Sequence, residues 1–298
     1  MARLPIPRCG ASQVVVPAPG QGPGNWVGAP SALLADSVMY LAYRLRRPVE
    51  EGRGVDVVIA RSDDQVAFEP VATISKDLFG AESLERPALV RTPHGRWRLY
   101  VSCATPGTKH WRVELLESET APGLPRAAPA VVLPGGARTA VKDPVVMPEG
   151  TGWQMWACLH PLDDPEATDR MWSDYAVSDD GLAWQWRGAA LRPRPQAWDR
   201  RGTRITSVWR QGRTWMALYD GRPSAEENFE ERTGLATGSS PTGLTASGSG
   251  PVAASPHGSG GLRYASVVPL PFGGHRLYYE ATREDGAHEL RGELVPPG

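Results

Sequence analysis

The feature that most constrains this chain is an internal period. A polar or charged residue, a short apolar strand, a turn holding Gly or Asp and an aromatic-rich second strand recur from one end of the sequence to the other. Three copies carry a proline: Gly28-Ala29-Pro30-Ser31 ahead of residues 38–43, Glu85-Arg86-Pro87-Ala88 ahead of 97–102, and Lys142-Asp143-Pro144-Val145 ahead of 153–157. Two lack it, namely Arg204-Ile205-Thr206-Ser207 ahead of 215–219 and Arg263-Tyr264-Ala265-Ser266 ahead of 276–279. Pro30, Pro87, Pro144, Thr206 and Ala265 are thus 57, 57, 62 and 59 residues apart. Later in the unit a second acidic or glycine turn recurs, as in Ser62-Asp63-Asp64 before Phe68 and Ser178-Asp179-Asp180-Gly181 before Trp184. Each unit therefore holds four strands.

Repeats of this length with four short strands have the dimensions of propeller blades, where radial repetition leaves only short, protected edges. The predicted fold is all-β: a five-bladed β-propeller with four-stranded blades around a central funnel, one domain over 1–298. Blades are expected at roughly 25–75, 82–134, 138–192, 200–250 and 258–295, with 10–20 completing the last through Val14-Val15-Val16. Inner strands should begin near Pro30, Pro87, Pro144, Thr206 and Ala265, and a short helical turn is expected within 76–84. A stacked solenoid would need shorter repeats. With 33 Gly and 29 Pro spread without a triplet period, long helices have little room.

Charge excludes whole classes of partner. Lys and Arg number 32 against 33 Asp and Glu, so no net field draws the chain to nucleic acid or to an acidic membrane surface. No segment approaches the ~20 apolar residues of a membrane span, and residues 1–16 lack a signal-peptide core, so a cytoplasmic protein is expected. Cys9, Cys103 and Cys158 are odd in number and widely spaced, which suits reduced thiols. The six histidines show no zinc-ligand spacing, so neither a metal nor another cofactor is expected, and the assembly is expected to be a monomer or a dimer.

Five such blades, with a polar residue before a proline at the inner strand, resemble the arabinanase, levansucrase and invertase superfamily. That group includes glycoside hydrolase families 43, 32 and 68, and the mannoside phosphorylases of family 130 are similar. The resemblance covers the whole chain, and Thr233-Gly234-Leu235-Ala236 with Ser240-Pro241-Thr242-Gly243 in the fourth unit supports it. It implies a carbohydrate-active protein with a first-blade aspartate as base or nucleophile, a middle-blade aspartate stabilising the transition state, and a glutamate as acid. Lys142-Asp143-Pro144 matches the middle position, so the resemblance gives Asp143 that role. The first-blade position is Ala29, and the fourth blade shows Arg204-Ile205-Thr206 where the pattern has an acid.

Strand geometry supplies further candidates. The second strand of a blade runs antiparallel to the first, so its end emerges at the mouth where the first begins. Arg44, His160, Asp220 and Glu280 should therefore join Glu85, Arg86, Lys142, Asp143, Arg204 and Arg263 around one mouth. Asp143, Glu85 and Asp220 are the candidate catalytic carboxylates; a spacing of about 5–5.5 Å suits a retaining glycosidase and about 6.5–9.5 Å an inverting one. Arg44, Arg86, Lys109, His110, Lys142, Arg204 and Arg263 are candidate substrate ligands, more cations than a neutral sugar needs, and point to an anionic group on the substrate. Glu227 and Glu231, on one helical face of the acidic run 226–231, are candidates to fold over the funnel as the missing acid, and Trp111 to stack on a sugar ring. Ion pairing around the funnel is the competing account of the charges.

Three functions follow: hydrolysis of a small intracellular glycoside or sugar-derived metabolite, phosphorolysis with the cations holding inorganic phosphate, or a non-catalytic or repurposed ligand-binding propeller in specialised metabolism.

Overall fold

The structure, a computed structural model, describes residues 3–298. Four-stranded antiparallel meanders follow one another along the chain. The first comprises Trp26–Ala35, Val38–Arg46, Gly54–Ser62 and Glu69–Ser75, and the second Leu84–Arg91, Trp97–Ala104, Trp111–Ser118 and Ala130–Leu133. Thr139–Glu149, Gly152–Pro161, Trp172–Ser178 and Gln185–Leu191 make the third, and Gly202–Gln211, Thr214–Arg222, Arg232–Gly238 and Thr245–Ser247 the fourth. The fifth has Leu262–Pro269, His275–Thr282 and His288–Val295 from the C-terminal part of the chain, and its outer strand, Gln13–Val16, from the N-terminal part. This is a five-bladed β-propeller, in which the strands of blades one and five are linked by a single parallel bridge between Trp26 and His288. A 3-10 turn, Lys76–Phe79, links blades one and two, capped by the Ser75 hydroxyl. Among the described residues no helix is long and apolar enough to cross a membrane.

Blades pack face to face, so their central strands are buried on both sides and the apolar residues sort by interface. Val57, Ile59 and Ile74 of blade one meet Leu89, Leu99 and Val101 of blade two, and equivalent clusters fill the other four interfaces. Trp156, fully buried between blades three and four, is the largest such side chain, and its truncation to alanine would cost about 3–5 kcal/mol. The acidic turns have one construction: Asp64 Oδ1 accepts from Ser62 and the N–H groups of Val66 and Ala67, and Asp180 Oδ1 from Ser178 and those of Leu182 and Ala183.

Inner strands begin earlier than the repeat suggests, at 26, 84, 139, 202 and 262, three to five residues ahead of Pro30, Pro87, Pro144, Thr206 and Ala265. The marked positions lie at bulges inside the strands: pairing slips between Gly28 and Ser31, Leu84 and Pro87, Lys142 and Val145, Ile205 and Ser207, and Arg263 and Ser266. Proline is tolerated at a bulge because no ladder bond needs its missing N–H. Each blade boundary is also stitched by a serine. Oγ of Ser31, Ser102, Ser173, Ser207 and Ser266 accepts from the inner-strand N–H of Leu89, Asp143, Ile205, Val267 and Ala32 in the adjacent blade.

Candidate functional site

The bulges aim side chains into the funnel. Ala29, Asp143 and Tyr264, at matching bulge positions, have φ of 51°, 56° and 55°, the left-handed region that non-glycine residues rarely occupy. Counted from the repeat prolines, Arg86 matches Asp143, while Glu85 matches Lys142. Antiparallel register then sets strand-two ends opposite strand-one beginnings: Gly28 faces Arg44, Arg204 faces Asp220 and Arg263 faces Glu280.

These groups close into one buried ion network. Glu85 is held by Arg44 and, at 3.1 Å, by Arg46; Arg44 also reaches Glu280 at 3.1 Å. Arg263 grips Glu280 through Nε at 2.9 Å and Nη2 at 2.6 Å, and Glu231 through Nη1 at 2.9 Å. Arg204 lies at the centre, with Nε and Nη2 on Asp220 at 3.1 and 2.7 Å, Nη1 on Asp143 at 3.2 Å, and Glu231 3.7 Å away. Its guanidinium stacks 3.9 Å from the centre of the Tyr264 ring, whose backbone N–H donates to Asp220. Arg222 takes the other oxygen of Glu231. His288 sits between Glu280, at 2.6 Å, and Glu230, at 3.1 Å, stacked on Trp26.

Burial and charge oppose each other here. Burial alone would raise the carboxyl of Glu85, but Arg44, Lys142 and Arg46 outweigh it and hold it well below the carboxylate range; Glu231 and Glu280 are depressed in the same way, chiefly by Arg204 and Arg263 respectively. Asp220 goes the other way: burial, reinforced by Glu231, raises it to about 6 against the pull of Arg204. Burial lowers Arg46 and Arg86 to about 10, and with Lys142 pushes His160 well below its ordinary value.

The structure brings together Asp143, Glu85, Asp220, Arg44, Arg86, Lys142, Arg204 and Arg263. It leaves out Lys109, exposed in the loop after blade two's second strand, and His110, half-buried against Gly135. Glu227 is also outside: it pairs with Arg232, because the loop turns so that Glu231 enters the ring instead. Arg46 was read from the sequence only as one of the basic residues after blade one's second strand, and Arg222, Tyr264 and His288 were not among the candidates. Period-two alternation was the available signal for two of them, since Arg46 follows Arg44, and Arg222 follows Asp220, on the same face of a strand. Lys142 is the most open member of the ring, its side chain 13% exposed and its Nζ 4.7 Å from the Trp111 ring centre. Among the described residues no cluster of His, Cys, Asp or Glu is arranged to hold a metal.

No protein-family profile matches the sequence, and no curated protein does. Solved structures do match. A thermostable family-43 glycoside hydrolase aligns over 90% of this chain and 88% of its own at 14% identity, TM-score 0.66. The GH43_1 enzyme from Xanthomonas citri, complexed with xylotriose, aligns over 95% and 89% at 14% identity, TM-score 0.70. A glycosyl hydrolase from Bacteroides ovatus aligns over 98% and 92% at 14% identity, TM-score 0.65. The chain shares its propeller fold with these glycoside hydrolases. On this scaffold the first-blade bulge presents Ala29, whose N–H donates to Glu280 at 3.0 Å, and the fourth blade sets a cation, Arg204, just ahead of its bulge, bound to Asp143 and Asp220. Fold likeness carries no chemistry by itself.

Proposed function

We propose that this chain is a sugar-recognising propeller that does not cleave its ligand, receiving a small sugar or sugar-derived molecule at the mouth beside Lys142 and Trp111. One observation carries the reading: the ring carboxylates Glu85, Asp143, Asp220, Glu231 and Glu280 are all buried and each is bound by arginine. Glycosidic cleavage needs one carboxyl to protonate the leaving oxygen and a second to attack the sugar or activate water, both within reach of substrate. Half-buried Trp111 offers an apolar face to a sugar ring, and Lys142 a cation to an acidic or hydroxyl group. Phosphorolysis finds less support, because Arg44, Arg204 and Arg263 are each engaged by two or more carboxylates.

A hydrolytic reading has one specific observation in its favour. A carboxyl held near 6, as Asp220 is, suits a proton donor at neutral pH. One experiment separates the two. Wild-type protein, Trp111→Ala and Asp220→Asn are incubated with 4-nitrophenyl arabinofuranoside and xyloside, and the first two are titrated calorimetrically with xylotriose and with a uronic-acid-bearing oligosaccharide. The proposal expects saturable binding lost in Trp111→Ala and no nitrophenol above the Asp220→Asn background. Nitrophenol release by wild type that vanishes in Asp220→Asn would replace it with hydrolysis.

A further inference from the structure

The opposite mouth of the funnel holds a second, chemically different space. Where the inner strands leave the ring they surround a channel of about 470 Å³, within the ~300–1,000 Å³ of small-molecule sites. Its wall is largely aliphatic: Leu34, Val90, Val146, Val208 and Val268 come one from each blade, and Trp209 adds an aromatic face. The wall serines are already used, since Ser31, Ser207 and Ser266 hold the blade-to-blade bonds described above.

Arg86 lines this channel at its inner end. Its side chain crosses from blade two to blade four, where Nη2 donates to the Thr206 carbonyl at 2.5 Å. The residue is only 3% exposed, and Nε and Nη1 have no hydrogen-bond partner among the described residues. It differs in this from Arg44, Arg204 and Arg263, which all grip carboxylates directly. A buried guanidinium with free donors at the end of an aliphatic tube is costly when empty and complementary to an anion carrying an apolar tail.

The geometry points to a binding site for a small amphipathic carboxylate, its head on Nε and Nη1 of Arg86 and its hydrocarbon along the channel. The channel opens away from Lys142 and Trp111, and Arg86, whose guanidinium lies 5.9 Å from the Tyr264 ring centre, is the ring cation that lines it. Size favours a medium-length chain, and burial of successive methylenes should tighten binding roughly fourfold each until the channel is full.

The test is titration of the whole protein with hexanoate, octanoate and decanoate, and with decanol as the uncharged control, followed by calorimetry and by the difference in tryptophan fluorescence between wild type and Trp209→Phe. Expected are saturable binding that strengthens with chain length, decanoate at least tenfold tighter than decanol, and no competition by xylotriose. Arg86→Met should bind decanoate and decanol alike, and Val90→Trp, which fills the tube but keeps Arg86, should bind neither. Absence of saturable binding, equal wild-type affinity for decanoate and decanol, or undiminished decanoate binding by Val90→Trp would overturn the assignment and leave Arg86 as a buried structural cation.

Discussion

Replacing Arg204 with methionine probes the ring at its centre. Methionine keeps an apolar stem against Tyr264 but removes the fork that holds Asp220 at 2.7 Å and Asp143 at 3.2 Å. Asp143 is left with Lys142 at 3.7 Å, Glu231 keeps Arg222 and Arg263, and Asp220 keeps only the Tyr264 N–H. Breaking a buried ion pair from one side costs about 3–5 kcal/mol, a large part of the ~5–15 kcal/mol that holds most domains together. At about 2–4 °C per kcal/mol, the melting temperature should fall by at least ~6 °C. The pH dependence has a definite sign. Asp220 binds its proton more tightly folded, near 6, than unfolded, near 3.8, so its contribution to stability is largest at low pH and is lost as pH rises through 6. Without Arg204, the strongest influence lowering it, that loss extends to higher pH, so the variant's deficit should be greatest at pH 8 and smaller at pH 5.5. Urea unfolding at both pH values, followed by tryptophan fluorescence, measures it. A variant within about 1 kcal/mol of wild type at pH 8, or a deficit that grows on acidification, would refute the account of the ring as a cooperative ion network.

Glu85→Gln tests the same network from its rim: a catalytic role predicts unchanged melting, whereas the pairing with Arg44 and Arg46 predicts a loss of about 3 kcal/mol, read by calorimetry. Ser207→Ala removes the acceptor for Val267 N–H and the donor to the Ala265 carbonyl, and should cost about 1–3 kcal/mol in chemical denaturation. Deleting residues 1–17 removes the strand on His288–Val295, with half-buried Val15 and Val16 and the Arg8 partner of buried Glu293; a loss of about 2 kcal/mol or more and a tendency to self-associate through the freed edge should appear in melting and light scattering.

The fold was legible because a blade repeats its chemistry as well as its length. Pro30, Pro87 and Pro144 sit at the same bulge in successive blades, so one local geometry imposed thrice prints a period on the sequence. Which residues face the funnel was partly legible for the same reason. Antiparallel pairing forces Arg44, Asp220 and Glu280 to the mouth where Glu85, Asp143 and Arg204 begin, whatever their roles. Whether that mouth is open was not. Strand position gives the direction of a side chain but not its partner, and one shared partner here arrives from a loop. Glu231 enters from the acidic run at 226–231, taking Arg222 together with Arg204 and Arg263, two arginines that otherwise read as spare cations for a substrate. The choice of Glu231 over Glu227 rests on the path of that loop, which no periodicity encodes. The bulges carry a second illegible fact: a left-handed φ at Ala29, Asp143 and Tyr264 has no glycine to announce it.

Gly28 shows how closely the funnel is filled. A Cβ at that position would stand 1.9 Å from Glu280 Oε2, so only glycine lets the blade-five carboxylate approach, and the adjacent Ala29 N–H then binds it. The space next to the first-blade bulge is therefore already held by an anion from another blade. Placing an acid there by Ala29→Asp would set a second carboxylate against Glu280, whose existing cations Arg44 and Arg263 are shared with Glu85 and Glu231. Like charges so close cannot both ionise without a further cation, so the new carboxyl would take up a proton or expel Glu280. On the non-cleaving reading proposed above, Ala29→Asp alone should therefore release no nitrophenol from the arabinofuranoside or the xyloside, and release by that variant would overturn this account of the first-blade position.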